Sequence, residues 1–365
     1  MIGMLSRAFD NLLGRGEAAV TVPPLDGAFR PNRVLDEATR RNMLPDVDCL
    51  AVHDGALVAS AADGVHVRGP EGQWTRRRGY SSAVACIASV GDGLAVALDG
   101  GDVLIEGGRF DGSRYRADAA ATCITAMAFA DGQLCLANGS ASCAAGDWQR
   151  DLLERNASGS IWRIDLESGE PVRLADGLAW PAGLAVDADG LVYAEAWKHR
   201  LVRIGTAGRG TFNVLHADLP GYPGRLSAAA DGWWLSVFAP RSQLVEFVLR
   251  EPAYRQRMMV EVPRPFWVAP KLRSGRSYYE PLQGGGVKHL GLLKPWAPTM
   301  SFGLCVRLDR AFQPRASLQS RADGATHGVT SVIEHGGRII VASRGDGVVV
   351  DVPRETAGSD EGGVA

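Results

Sequence analysis

The sequence predicts an all-β protein, a six-bladed β-propeller with a partly helical lid insertion. Tight-turn dipeptides recur with a step of about 40 residues, each between two strand-like segments, and further strand-like segments follow in most repeats. A unit of four strands is the blade of a propeller. The alternative is a pair of unrelated β-sandwich domains, which is disfavoured because sandwiches give turn signals about every 8 to 12 residues without a longer period.

Each repeat is predicted to begin with a hairpin, because glycine at the second turn position accepts the positive φ that a two-residue turn requires. Counted between the second residues of successive turns, the steps are 38, 39, 58, 42 and 105 residues, so two of the steps contain insertions. The six turns are Asp54-Gly55, Asp92-Gly93, Asp131-Gly132, Asp189-Gly190, Asp231-Gly232 and Gly336-Gly337.

One propeller domain is expected over residues 31–353, without a linker to a second domain. Residues 1–30 form an N-terminal segment, and residues 354–365 form an acidic, glycine-rich tail that is expected to be disordered. Little strand-like sequence follows Pro353 in the sixth repeat. Ala18–Val22 is therefore predicted to supply the outer strand of the last blade and to close the ring.

Both insertions fall between the second and third strands of their repeats, so they are expected on one face of the disc. The smaller is Gly139–Ser158, and the larger covers about residues 239–301. The larger one contains a predicted helical stretch, Gln243–Met259, and a predicted hinge at 284–286. We interpret it as a lid over a ligand pocket at the mouth of the central channel, because insertions crowding one rim enclose such a site.

Composition narrows the choice of partners and compartment. The formal net charge of −2 gives no electrostatic reason to expect nucleic acid as a partner. The six cysteines contain no C-x-x-C pair and are expected to be reduced, as in a cytoplasmic protein. Charged residues interrupt the N-terminus, which predicts neither a signal peptide nor a membrane anchor. The expected partner is a small molecule, and the sequence does not define the oligomeric state.

A family resemblance is carried by five segments: GSIWRID (159–165), LADGLAWPAGLAVDAD (174–189), VYAEAW (192–197), LPGYP (219–223) and VTSVIEHGG (329–337). Together they resemble the strictosidine synthase-like proteins, which belong to a superfamily that also contains regucalcin-like gluconolactonases and paraoxonases. The resemblance spans residues 45–352 and implies a six-bladed propeller, in agreement with the blade count.

In the hydrolytic members of this superfamily a catalytic calcium lies at the channel mouth, where a first-blade Glu and later Asn or Asp side chains bind it. Ca²⁺ takes about six to eight oxygen ligands. The Glu position falls on Asp48 or Asp46, the Asn positions fall on Thr125 and Ala182, and the final Asp-Asn pair falls on Gly224-Arg225. Since a guanidinium repels a divalent cation, the resemblance implies a pocket without a metal.

Strictosidine synthases join an amine and an aldehyde without metal, with a glutamate from the last-blade link. That glutamate falls on Thr330, which we keep as a catalytic candidate, and a nearby family histidine falls on Gly328. Glu195, at the end of a second strand, and His327, before the last-blade link, are predicted proton carriers. The alternative for Glu195 is a structural carboxylate that accepts hydrogen bonds from backbone amides between blades.

Arg225 is predicted to bind an anionic group of the substrate through its two guanidinium N–H pairs. The alternative for Arg225 is a structural ion pair with Asp48. Further substrate contacts are predicted for Asp48, Thr125, His199 and His289.

The sequence thus predicts a strictosidine synthase-like enzyme of a biosynthetic process, which acts on a small polar organic molecule in a pocket without metal or other cofactor. Its chemistry would be general acid-base catalysis of the lyase or condensation type. Two alternatives remain open. One is a calcium-dependent lactone or ester hydrolase of the gluconolactonase type, and the other is a non-catalytic propeller that binds a small ligand or a protein partner.

Overall fold

Six four-stranded antiparallel sheets form a ring in the computed structural model, which describes residues 22–205, 212–281 and 300–357 together with the pairing of 288–289 with 292–293. The first strands of successive blades pack side by side, and the last of them returns to the first. The protein is therefore a six-bladed β-propeller, as the spacing of the turns predicts.

Each blade consists of one hairpin followed by two further strands. The strand β1 (Arg40–Met43) precedes blade 1. Blade 1 contains β2 (Val47–His53), β3 (Ala56–Ala61), β4 (Gly64–Arg68) and β5 (Trp74–Gly79), and blade 2 contains β6 (Val84–Val90), β7 (Gly93–Leu98), β8 (Val103–Glu106) and β9 (Arg114–Tyr115). Blade 3 contains β10 (Ile124–Ala130), β11 (Gln133–Asn138), β12 (Gly159–Asp165) and β13 (Pro171–Leu178).

The second half of the ring repeats this pattern. Blade 4 contains β14 (Pro181–Asp187), β15 (Gly190–Glu195), β16 (Arg200–Gly205) and β17 (Phe212–His216). Blade 5 contains β18 (Gly221–Ala229), β19 (Gly232–Pro240), β22 (Leu304–Asp309) and β23 (Pro314–Gln319), with the short hairpin β20 (Lys288–His289) and β21 (Leu292–Leu293) inside its insertion. Blade 6 contains β24 (Val329–His335), β25 (Arg338–Ser343) and β26 (Val348–Pro353).

All six predicted hairpins join the first and second strands of a blade. Three have the predicted two-residue turn, for example Asp54-Gly55 with φ of 51° and 71°. In blades 2, 4 and 5 the turn lies one residue earlier, as in Gly91-Asp92, where Val90 is paired with Gly93. The Asp-Gly pattern therefore locates a hairpin to within one residue.

The outer strand of blade 6 is β1, which pairs antiparallel with β26 so that Arg40 lies opposite Asp351 and Met43 opposite Val348. The prediction that Ala18–Val22 supplies this strand is wrong, because a segment about 20 residues later occupies the position beside Val348–Pro353. Residues 1–21 themselves lie outside the described residues. A strand from the N-terminal part of the chain does pair with the last strand. It is β1, which lies within residues 31–353, the range predicted for the propeller domain.

The core lies between neighbouring blades, where the sheets bury aliphatic side chains from both partners. Val58 and Val65 of blade 1 and Leu94 and Val96 of blade 2 are completely buried in one such cluster. All six cysteines are buried and free. None of the helices in the described ranges is long and apolar enough to cross a membrane.

The helices lie mainly in the two insertions. The element α1 (Val34–Glu37) precedes the propeller, α2 (Trp148–Glu154) lies in the smaller insertion, and α3 (Gln243–Val248) and α4 (Pro252–Glu261) lie in the larger. The predicted single stretch Gln243–Met259 is thus two helices. Pro252 divides them, because it disfavours helical backbone at Glu251 and begins the next helix at its first position.

The two insertions pack against each other on one face of the disc. Leu153 of α2 is buried with Val245, Met258 and Trp267 of the larger insertion, and Arg264 donates a hydrogen bond to Asp147 at 2.7 Å. The insertions therefore share a face, as their position between second and third strands predicts. The predicted hinge at residues 284–286 lies outside the described residues.

Candidate functional site

A pocket of about 260 Å³ lies at the end of the central channel that the two insertions cover. Its floor comes from the first strands of the blades, and its rim includes Trp148 of the smaller insertion and Leu272 of the larger. The charged and hydroxyl side chains in its wall are Asp48, Asp99, Thr125, Arg225, Thr330 and Arg344. We call this cavity the axial pocket.

The guanidinium of Arg225 lies across the channel beneath this pocket. Arg225 belongs to β18 of blade 5, and one of its terminal nitrogens lies 3.0 Å from Asp48 Oδ1 of blade 1. The other lies 3.1 Å from Asp48 Oδ2 and 2.9 Å from the carbonyl oxygen of Ala85 in blade 2. Blade 2 is opposite blade 5 in a ring of six, so the side chain spans the channel.

Two further carbonyl oxygens accept hydrogen bonds from the same guanidinium. They belong to Asp48, at 3.1 Å, and to Thr330 of blade 6, at 3.2 Å. The Asp48 side chain is 13% exposed and that of Arg225 is 15% exposed. Both terminal nitrogens of Arg225 are therefore occupied by protein oxygens, in the bidentate geometry that a guanidinium makes with a carboxylate.

This ion pair is charged over the physiological pH range. Burial alone would raise the pKa of Asp48, but the positive charges of Arg225 and Arg344 outweigh it and lower that pKa to about 2. Burial lowers the pKa of Arg225, and the negative charge of Asp48 outweighs this, so the net shift is upward. Asp48 therefore carries no proton near neutral pH.

Arg225 also divides the channel. A second cavity of about 340 Å³ lies further along it, and Arg225 is the residue that both cavities share among their described linings. The side chains around the second cavity are largely apolar, including Leu50, Val52, Ile87 and Leu226. The Arg225–Asp48 pair thus separates the axial pocket from the rest of the channel.

Thr330 and Thr125 line the axial pocket, but their hydroxyl groups are already used. The Thr330 hydroxyl donates to the carbonyl of Asp48 at 2.7 Å, which connects blades 6 and 1. The Thr125 hydroxyl lies 2.5 Å from the carbonyl of Pro181, which connects blades 3 and 4. A threonine whose proton is donated to backbone can still accept a hydrogen bond from a ligand.

Glu195 is placed outside the axial pocket, contrary to the prediction. It is completely buried, and its carboxylate accepts hydrogen bonds from the backbone N–H of Ala179 at 2.9 Å and from Arg200 Nε at 2.7 Å. Lys198 Nζ lies 2.9 Å from the same carboxylate. The structural alternative therefore describes Glu195: the carboxylate fixes the link into blade 4 and has no access to the pocket.

Two of the histidines predicted as site residues, His199 and His327, are not in the described lining of the axial pocket either. His199 is buried, with Nδ1 3.0 Å from the carbonyl of Gly221 and Nε2 3.4 Å from Glu246. His327 is completely buried, and its Nδ1 lies 2.8 Å from Ser301 Oγ. Burial and the charge of Arg273 lower the pKa of His327. Only the strand pairing of His289 lies within the described part of the chain, and its side chain does not.

Three pocket features have no counterpart among the predicted site residues. Arg344 and Asp99 each follow the last residue of a second strand, β25 and β7, and both reach the axial pocket. Trp148 forms part of the wall with Trp180 and Phe238. The only sequence signal for Arg344 and Asp99 is their position just after a second strand, on the insertion face.

The aromatic wall is the outer layer of a larger stack. Trp197 lies between Trp148 and Trp180, with ring centroids 6.3 and 5.2 Å away and interplanar angles of 29° and 26°. Phe238 meets Trp148 edge to face at 5.5 Å. Such packing fixes the rings, so the wall is a rigid apolar surface.

No residues of the described ranges form a group of three or more His, Cys, Asp or Glu that could hold a metal ion. At the channel mouth Asp48 is the single carboxylate of the floor, and the guanidinium of Arg225 lies against it. The donor set therefore does not fit a calcium ion while Arg225 keeps this conformation.

Comparisons with known proteins define the fold and no closer relationship. No family model matches the chain, and no curated protein matches it. Among solved structures, the calcium-binding protein regucalcin from Agrobacterium tumefaciens matches with a TM-score of 0.53 and 12% identity, over 91% of this chain and 95% of the other. A presumed gluconolactonase matches with a TM-score of 0.50 and 11% identity, over 88% and 91%.

At such identities these likenesses show the fold alone. The chain shares the six-bladed propeller fold with these two structures. The narrower resemblance to strictosidine synthase-like proteins is not shown by these comparisons.

Proposed function

We propose that this propeller binds a small organic anion in the axial pocket, and that Arg225 takes the place that calcium has in the hydrolytic propellers. The observation that supports this is the set of oxygens around its guanidinium. One carboxylate and three backbone carbonyls from blades 1, 2 and 6 lie within 3.2 Å of it.

The positive charge of this guanidinium would repel a calcium ion bound beside it. Two unit charges 4 Å apart interact by about 4 kcal/mol at an effective dielectric constant of about 20, so a divalent cation would be repelled by about 8 kcal/mol. Binding calcium would require Arg225 to leave and to give up its hydrogen bonds with Asp48. The proposal is therefore a pocket that works without a metal at the axis.

Arg344 is the group that we expect to bind the anion. Among the described residues its guanidinium makes one ion pair, with Asp48 Oδ2 at 3.3 Å, and its side chain is 43% exposed. Because Asp48 is shared with Arg225, the cluster of the two arginines and one carboxylate has an excess of one positive charge, while Asp99 adds one negative charge elsewhere in the lining. The remaining N–H groups of Arg344 suit a carboxylate.

The rest of the ligand would lie against the aromatic wall. Trp148, Trp180 and Phe238 form this surface on the side of blades 3, 4 and 5. The charged groups, including the guanidinium that Arg225 extends across the channel from blade 5, lie on the side of blades 6, 1 and 2. The volume of about 260 Å³ is slightly below the roughly 300 Å³ at which drug-sized pockets begin. The ligand class is thus a compact organic acid with an apolar body.

Condensation chemistry of the strictosidine synthase type has less support. Asp48 is held ionised by the lowered pKa, Thr330 lies where the resemblance places a glutamate, and Glu195 and His327 are buried outside the pocket. We therefore keep lyase activity as a prediction without a proton carrier assigned to it.

Hydrolysis of a lactone or ester is the second candidate. The observation that favours it is the likeness in fold to regucalcin and to a presumed gluconolactonase. A calcium-dependent reaction would require a cation beside Asp48. Turnover of lactones, with added calcium and with a chelator, separates this candidate from the first: turnover that a chelator abolishes would contradict the metal-free proposal.

The binding proposal is tested by calorimetry with a panel of small carboxylic acids and their neutral amides. We expect the acids to bind and Arg344→Gln to weaken them about tenfold, a difference of about 1.4 kcal/mol. Arg310→Gln is the matched control, because Arg310 lies in the turn after β22, away from the pocket lining. Equal affinity of acids and amides, or no effect of Arg344→Gln, would overturn the assignment.

A further inference from the structure

A third cavity, distinct from the two in the channel, lies on the insertion face beside the axial pocket. It has a volume of about 280 Å³ and lies between α2, α3 and the link into blade 4. Its charged side chains are Arg155, Lys198, Glu246 and Arg250, and its apolar ones include Leu152, Trp197 and Leu249. We call it the peripheral pocket, and we infer that it binds a phosphate monoester independently of the ligand of the axial pocket.

The charges of the peripheral pocket do not balance. Glu246 is the one carboxylate among the described residues of its lining. One oxygen of this carboxylate lies 3.4 Å from both Arg241 Nε and His199 Nε2, and neither of these two residues lines the pocket. Lys198 is paired with Glu195, but Arg200 is bonded to that carboxylate as well, at 2.6 Å. Each of these two carboxylates therefore has a cationic partner outside the pocket lining, Arg241 for Glu246 and Arg200 for Glu195, although Arg241 is also paired with Asp218.

Arg155 and Arg250 have no acidic partner among the described residues. Both are exposed at the rim of the pocket, one from the end of α2 and the other from the segment after α3. With Lys198 they place three positive charges around one small cavity. Such an arrangement is unfavourable without a counter-ion, and a bound dianion would remove the repulsion.

Crowding of like charges extends behind the rim. Arg255 of α4 is buried and donates a hydrogen bond to the carbonyl of Leu153, two residues before Arg155. Burial and the nearby charge of Arg155 lower the pKa of Arg255. Two arginines from different insertions thus lie close together with no carboxylate between them among the described residues.

The backbone at Arg155 is also unusual. Arg155 follows the last residue of α2 with φ of 54°, a left-handed conformation in which glycine is the preferred residue. The backbone N–H groups of Arg155 and Asn156 bond back to α2 carbonyls at 2.9 and 3.0 Å, so this conformation is fixed. An arginine here costs stability that glycine would not, which is consistent with a role for its side chain.

The chemistry of the pocket suits a phosphate monoester better than a carboxylate. A phosphate monoester carries close to two negative charges and three acceptor oxygens, which can bind two arginines and a lysine together. A carboxylate has one charge and two oxygens. Trp197, whose indole N–H donates to Asp151 at 2.7 Å, gives a fixed apolar wall for the organic part of the ligand.

The experiment uses the full chain and follows tryptophan fluorescence and calorimetric heat during titration with glucose 6-phosphate, inorganic phosphate, glucose and acetate. We expect saturable binding of the two phosphates, little response to glucose, and acetate binding only at the axial pocket, where Arg344→Gln should weaken it. The double variant Arg155→Gly, Arg250→Gln should bind the phosphates at least about tenfold more weakly. Glycine suits the left-handed backbone at position 155, so this variant removes charge without strain.

Three controls separate this site from the axial pocket. Arg310→Gln should bind phosphates as the wild-type chain does, and so should Arg344→Gln, whose defect is expected for carboxylates alone. The melting temperature of the double variant should stay within a few degrees of the wild type, at roughly 2–4 °C per kcal/mol in larger domains. Absence of saturable phosphate binding, or equal binding by the double variant, would overturn the inference.

Discussion

Two carboxylates in this propeller, the largely buried Asp48 and the completely buried Glu195, are both paired with two cations, yet they differ in what lies around them. Asp48 borders an open pocket, and one of its partners, Arg344, is partly exposed. Glu195 is completely buried, and its carboxylate accepts a hydrogen bond from the backbone N–H of Ala179 in addition to its contacts with Lys198 and Arg200. The comparison teaches that burial and charge alone do not mark a functional carboxylate. Access to a cavity distinguishes the two.

Removing Arg225 should have the largest effect. Arg225→Met leaves the charge of Asp48 buried with only the partly exposed Arg344 as partner, and we expect the free energy of unfolding to fall by about 3 to 5 kcal/mol. Urea unfolding measures it. In the double variant Arg225→Met, Asp48→Asn no buried charge remains, so much of the loss should be recovered. Equal losses in the single and double variants would show that the uncompensated charge of Asp48 is not the cause of the loss.

Replacing Glu195 should give the next effect. Glu195→Gln removes the charge that compensates Arg200 and Lys198, and we expect a loss of up to about 3 kcal/mol in the free energy of unfolding. Both cations are partly exposed and can be hydrated, which limits the cost. Ligand binding in the axial pocket should be unchanged. A variant with wild-type stability and no turnover would restore Glu195 as a catalytic residue.

The pH dependence of stability should report the state of Asp48. Its pKa falls from an ordinary value of 3.8 to about 2 in the folded chain, so its contribution is present above pH 3.8 and is lost as the pH falls towards 2. A shift of this size corresponds to about 2 kcal/mol. Unfolding curves between pH 5 and pH 2 measure the loss, with Asp48→Asn as the control. The same slope in that variant would assign the pH effect to other carboxylates.

The sequence predicts the fold well because the repeated Asp-Gly turns and the strand patterns are local signals. It also predicts the shared face of the insertions, since this follows from their position in the blade. The outer strand of blade 6 is not predicted, because β1 (RRNM) lacks an apolar pattern and owes its conformation to pairing with β26. At this strand, pairing with β26 has a greater influence on the conformation than the local sequence preference has.

For the site, the sequence indicates which positions surround the channel but not how their side chains pair. Arg225, Asp48, Thr125 and Thr330 all border the axial pocket, as the resemblance implies. The structural pairing of Arg225 with Asp48 was the alternative to anion binding, and it is the arrangement observed. Arg344 was not predicted because no motif contains it, and its role depends on contacts across the ring.

A crystal structure of the wild-type chain grown with millimolar calcium tests the central claim most directly. We expect the Arg225 guanidinium to lie across the channel, bonded to both oxygens of Asp48, with no ion on the propeller axis. A calcium ion coordinated by Asp48 and the carbonyls of Ala85 and Thr330, with Arg225 displaced, would contradict the account and favour the hydrolase.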